Sequence, residues 1–260
     1  MSSLSTLLSS FDVERGLELP DDWRQGRTAY GGILTALAVA AAMTTYSGQM
    51  PPLRSVQVTF IGPAVGQLEF RPQVLREGKS VVNVGVDVIA EGALAARLAL
   101  VFGRSRDSAI AHDFGPLPAV PGPEACREFN MSGMPFAPAF TRNFVMRPAG
   151  GAQPISGATH PELLIWMRHV DASGVDPAVA LVAMADALPP AAFTSFTAAA
   201  PISSINWSFD MLEPVPVGEW FLLRSFSEHA RDGYSSQDMQ VWNAQGQLLL
   251  RGRQSVAVFA

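Results

Sequence analysis

The strongest constraint on this chain is an internal repeat whose two copies differ in polarity. Residues 55–105 and 204–259 read as two versions of one β-unit. The first copy passes through Ser55–Phe60, Gly66–Phe70 and Gly78–Ser80 and ends in Ala96–Phe102. The second passes through Ser204–Phe209, Gly218–Leu222 and Gly233–Ser235 and ends in Leu250–Phe259. Laying Arg97 on Arg251 sets apolar Leu100 against polar Gln254. Period-two alternation, as in Val82, Val84, Val86 and Val88, marks the strands. Glu77-Gly78 and Glu91-Gly92 mark tight hairpin turns. A duplicated unit with one copy made polar needs only that copy to carry chemistry.

Each repeat is preceded by an apolar helix. Gly31-Gly32 opens a stretch rich in Ala and Leu that runs to about Tyr46 and stops at Pro51-Pro52. Its near-continuous apolarity predicts burial on almost every side. In the second half, a strand over 162–171 precedes Asp176-Pro177, an N-cap with proline in the first helical position. That helix runs to about Ala187 and is stopped by Pro189-Pro190. A helix followed by an antiparallel meander, twice, predicts an α+β chain of two units. Residues 1–106 form the first, 107–135 a Pro/Gly-rich connection that crosses the molecule, and 136–260 the second. Each sheet wraps its own helix, and the two join edge to edge, which covers exposed strand edges.

Composition narrows the functional classes. The net charge of −5 and the absence of a basic stripe argue against nucleic acid. No apolar run is long enough to cross a bilayer, and the start lacks a signal-peptide pattern, so a cytoplasmic chain without membrane insertion is expected. Cys126 is the only cysteine, which excludes an internal disulfide. No Cys/His spacing suggests a metal, and no cofactor is expected. His112, His160, His169 and His229 are scattered and read best as structural or exposed; His169 and Arg168 could also reach a substrate tail.

Three polar residues of the second half stand out. Asp186 follows Leu181–Ala185 at the end of the second helix, where both the helix dipole and burial oppose a carboxylate. It is either a solvated helix end or a base that something must hydrogen-bond. Ser204 begins a strand, an ordinary place for serine. Gln254 lies in the last strand and faces either solvent or the core. An acid, a hydroxyl and an amide together could hold a water and take its proton.

These residues, with Tyr30-Gly31-Gly32, Phe60-Ile61-Gly62-Pro63 and Arg76-Glu77-Gly78-Lys79, resemble the double-hotdog acyl-CoA thioesterases of type II. The resemblance covers most of the chain. It implies a tandem hotdog fold, an acyl-CoA substrate, and an activated water held by Asp186, Ser204 and Gln254. Serine replaces the family's usual threonine, and the loop 188–202 is short. The resemblance also implies that the Gly31-Gly32 backbone offers donors to the oxyanion, although close helix–sheet packing would equally call for those glycines. No G-x-S-x-G elbow points to a covalent serine. A non-catalytic acyl-CoA binder or scaffold, and an enoyl-CoA hydratase, are the competing classes. Family members often associate further as homo-oligomers, for which sheet edges or Trp-bearing surfaces are available.

Overall fold

The computed structural model describes residues 2–46, 50–129 and 137–260. The lead-in holds α1 (Leu4–Ser10), β1 (Leu17–Glu18), β2 (Arg24–Gln25) and β3 (Thr28–Ala29). The first unit continues with α2 (Gly31–Thr45), β4 (Leu53–Phe60), β5 (Gln67–Glu77), β6 (Val81–Ala90) and β7 (Ala93–Gly103). The second contains β8 (Phe144–Gly151), β9 (Glu162–His169), α3 (Pro177–Ala185), β10 (Ile202–Met211), β11 (Phe221–Arg231), β12 (Tyr234–Asn243) and β13 (Leu248–Val258).

Eleven strands form one antiparallel sheet in the order β1-β5-β6-β7-β4-β10-β13-β12-β11-β9-β8. The halves meet at β4 and β10, where Val58 pairs with Trp207 and Val56 with Phe209. The edge-to-edge joint expected from the repeat is therefore a continuous ladder. It leaves neither β4 nor β10 as a free edge.

The central helices explain why neither half would suffice alone. Gly32 through Ala42 of α2 are all buried, as is most of α3. Small residues let the first turn of α2 lie directly against the last turn of α3: a methyl group on Gly32 would sit 2.8 Å from the Ala183 carbonyl oxygen. Asp176 caps α3 as its position predicts, accepting from Ala178 N–H at 2.9 Å. The lead-in also ties the halves together. Ser3 Oγ donates to Asp171 at 2.8 Å, and Asn143 Nδ2 donates to the Asp22 carbonyl at 2.7 Å.

Four sequence expectations change. The turn after β5 is not a two-residue hairpin at Glu77-Gly78 but the segment Gly78–Ser80, closed by Gly78 N–H on Val81 O. The strand β8 carries Pro148 and two glycines, which hide it from a β-pattern; it is tolerated because it is the outermost strand, with a bulge after Pro148. The Trp-bearing face is not free for association. Trp166, Trp220 and Trp242 are buried beneath the long connection, whose Leu117, Val120 and Cys126 pack on them. The indole N–H groups of Trp166 and Trp242 donate to the connection's carbonyls at Pro121 and Gly115, each at 2.8 Å. The connection thus crosses the outer face of the sheet's second half; its expected end at residue 135 lies outside the described residues.

The fourth change concerns repeat register. Both first strands carry a bulge, between Leu53 and Ser55 and between Ser204 and Asn206. Counting from the bulges sets Val56 against Trp207 and Leu53 against Ser204. The sequence match of Ser55 with Ser204 is therefore two residues out. In the last strands the match of Leu100 with Gln254 stands. One continuous cross-strand row runs Val74–Val84–Leu100–Val56 in the first unit. The corresponding row in the second is Ser227–Gln237–Gln254–Trp207.

Candidate active site

That second row is where the duplicated fold departs from an apolar interior. Gln237 and Gln254 are 1% and 2% exposed, which settles the question left open by alternation: Gln254 faces the core. A buried amide must place its oxygen against a donor and its nitrogen against an acceptor. Here one backbone group fixes the direction for the whole row. Pro189-Pro190 ends the run after α3, and Ala191 supplies the first N–H of a short 3₁₀ turn, Ala191–Ser195. That N–H donates to Gln237 Oε1 at 2.8 Å. Gln237 Nε2 must then point the other way, and it donates to Gln254 Oε1 at 2.7 Å. Gln254 Nε2 in turn donates to Asp186 Oδ1 at 2.9 Å. Reversing either amide would set nitrogen against nitrogen or oxygen against oxygen.

Asp186 is the C-cap of α3. The residue is half-buried, with its carboxylate in the enclosed part. Loss of hydration is the largest influence and pushes the pKa from 3.8 up to about 7; the hydrogen bonds from Gln254 and from Gly32 N–H pull in the opposite direction by less. The result is a carboxylate held at the border of protonation near neutral pH, the range a general base needs.

The two glycines have separate jobs. A methyl group on Gly31 would stand 2.6 Å from Asp186 Oδ2 and 3.1 Å from Phe60 Cζ, so its absence makes room for the carboxylate. On Gly32 it would collide with the Tyr30 hydroxyl and the Ala183 carbonyl. Gly32 N–H is directed at Asp186, where the sequence reading expected it to face a substrate oxyanion. Close packing and the seating of the Asp186 carboxylate therefore both act on this pair.

The structure brings Asp186, Gln254, Gly31 and Gly32 together. Ser204 shares the inner face with Gln254, because it pairs with Val256 two residues further along β13. It is half-buried, and among the described residues its hydroxyl makes no hydrogen bond to Asp186 or Gln254. Two neighbours were not singled out from sequence. Gln237 was legible in principle, since it replaces Val84 just as Gln254 replaces Leu100. Tyr30, the N-cap of α2, entered only as part of the Tyr30-Gly31-Gly32 motif, with no role attached to its side chain.

Other sequence candidates fall away. His169 is half-buried with its ring enclosed and Nε2 2.8 Å from the Ala180 carbonyl, and loss of hydration pushes its pKa down to about 4, so it is a neutral support for α3. Arg168 lies over the Trp220 ring and pairs with Glu219 on the outer face. Among the described residues no group of three His, Cys, Asp or Glu side chains could hold a metal ion, and no helix is long and apolar enough to cross a membrane.

Comparison with known proteins agrees with this fold. The family model for the acyl-CoA thioesterase N-terminal domain matches residues 19–103, and that for the C-terminal domain matches residues 123–258. A hot dog fold protein of unknown function from Alicyclobacillus acidocaldarius superposes with TM-score 0.83 at 20% identity, covering 93% of this chain and 91% of its own. The TesB protein of Mycobacterium avium subsp. paratuberculosis gives 0.79 at 18% identity over 98% and 99%. The acyl-CoA thioesterase II TesB2 of Mycobacterium marinum gives 0.71 at 18% over 88% of each chain. A comparison with curated proteins returns no match. With both family models placed in order on the two halves of one continuous sheet, the chain is a double hotdog and belongs to the acyl-CoA thioesterase family.

Proposed function

We propose that this protein hydrolyses acyl-CoA thioesters with a water activated by Asp186. The observation that carries this reading is the enclosed carboxylate at the end of α3, held by Gln254 and Gly32 N–H with its pKa raised to about 7. Gln254, fixed by Gln237, holds Asp186 in place and keeps its second amide proton for the water. Ser204, on the same inner face, supplies the hydroxyl at the other side of that water.

In the reaction, the water oxygen bonds to the thioester carbonyl carbon while one water proton passes to Asp186. The carbonyl π pair moves onto oxygen. When the tetrahedral species collapses, the C–S bond breaks, and the Asp186 proton neutralises the departing thiolate. The products are the free acid and CoA, and the base is restored. No residue forms a covalent intermediate.

Thiol release from a panel of acyl-CoAs tests this directly. Wild-type protein should release thiol, and Asp186→Asn should release it at least about 100-fold more slowly while still binding acyl-CoA. Binding without release by the wild type would instead show a non-catalytic acyl-CoA binder. Full activity in Asp186→Asn would remove the assignment of the base.

A further inference from the structure

Water activation leaves one requirement of the reaction unmet. As the tetrahedral species forms, its oxygen needs a hydrogen-bond donor in an enclosed place. The backbone candidate expected from the sequence, Gly32 N–H, is already directed at Asp186. Next to it stands a donor with no partner among the described residues. Tyr30 is 1% exposed, and its hydroxyl makes no hydrogen bond to any of them. A buried hydroxyl left unpaired works against stability, so its presence calls for an explanation.

Its placement supplies one. Tyr30 precedes α2, and its ring folds back so that the hydroxyl covers Gly32, where any side chain would strike it. The ring is fixed there by parallel stacking on Phe140, with centroids 3.9 Å apart and planes 6° apart. The neighbouring Gly31 faces Asp186 Oδ2. The first turn of α2 therefore has the Asp186 carboxylate against Gly31 and an idle hydroxyl, that of Tyr30, against Gly32. Burial first, and the nearby Asp186 charge second, hold the phenol well above its usual range, so it stays protonated and can donate throughout the working pH range.

We propose that the Tyr30 hydroxyl is a further catalytic group, donating a hydrogen bond to the thioester carbonyl oxygen and holding the negative charge that collects there when water attacks. This rests on the hydrolytic reading given above. It assigns opposite duties to adjacent groups: Asp186 accepts a proton from the water, and Tyr30 donates to the oxygen that becomes anionic.

The test is Tyr30→Phe, which keeps the ring and its stack and removes only the hydroxyl. The acyl-CoA panel, thermal melting and the pH profile are measured beside wild type and Asp186→Asn. The expected result is a fall in kcat of about 10- to 1,000-fold. KM should stay within about twofold, the pH midpoint should be unchanged, and Tm should be equal or a few degrees higher. A kcat within twofold of wild type, with Asp186→Asn inactive, would overturn the role of Tyr30 and leave the hydrolytic reading standing. A lowered kcat accompanied by a lowered Tm would overturn it too, by showing that the hydroxyl serves packing. Absence of thiol release from the wild type across the panel would overturn the hydrolytic reading, and this proposal with it.

Discussion

A carboxylate at the end of a buried helix is a poor contributor to stability, and Asp186 shows how such a residue is kept. Its ordinary pKa of 3.8 rises to about 7 in the fold. The folded state therefore binds its proton more tightly than the unfolded chain does. That contribution to stability is fully present below about pH 4, declines as pH rises, and is gone above about pH 7. Two consequences can be measured. Log kcat/KM should rise with unit slope and level off near pH 7, as the base loses its proton. Asp186→Asn, which carries no charge, should be more stable than wild type at pH 8 by about 1–3 kcal/mol in urea unfolding, with the gain vanishing near pH 4. Gln237 acts at one remove. Gln237→Ala strands the Ala191 N–H and the Gln254 oxygen, and should cost about 1–3 kcal/mol while lowering kcat, because Gln254 becomes free to turn.

Among the elements, the contact between α2 and α3 sets the geometry. The first turn of α2 reaches the last turn of α3 only because positions 31 and 32 lack side chains. The two substitutions should separate cleanly. Gly31→Ala meets a movable carboxylate and the edge of Phe60, so it should lower activity at least about tenfold with a modest change in melting. Gly32→Ala meets a backbone oxygen that cannot turn aside, so it should destabilise the fold by about 1–3 kcal/mol. Much of this level was legible beforehand. The apolar run from Gly31, its stop at Pro51-Pro52, and the cap at Asp176-Pro177 each state a helix and its limits in local terms. The strand β8 was not legible, because a proline and two glycines remove the local preference. Only its outermost position, with one ladder to satisfy, makes it a strand.

For the whole molecule, duplication separates scaffold from chemistry. The row Val74–Val84–Leu100–Val56 shows what this position in the fold looks like when it only packs. The row Ser227–Gln237–Gln254–Trp207 shows it carrying polar groups. Replacing Gln237 by Val and Gln254 by Leu together would copy the first row into the second. Ala191 N–H is stranded as in Gln237→Ala, but the Gln237–Gln254 hydrogen bond loses both partners at once and apolar side chains fill the space, so the double variant should lie closer to wild type in urea unfolding than Gln237→Ala does, yet it should release no thiol. A double variant less stable than Gln237→Ala would show that the amide row holds the fold together and is not reserved for the site.

Taken alone, the amino-acid sequence determined the repeat, two apolar helices, the antiparallel meanders and the residue types at the ends of Asp186 and Gln254. Those features are local, set by side-chain periodicity, capping and turn chemistry. Tertiary structure decided the rest. It turned Gln254 inward, aimed the amide row from a single backbone N–H at Ala191, shifted the repeat register by two residues at the bulges, and drew Tyr30 over Gly32. The reason is physical. Burial, hydrogen-bond direction and pKa depend on groups that chain order separates by dozens of residues, and they acquire values only when packing brings those groups together.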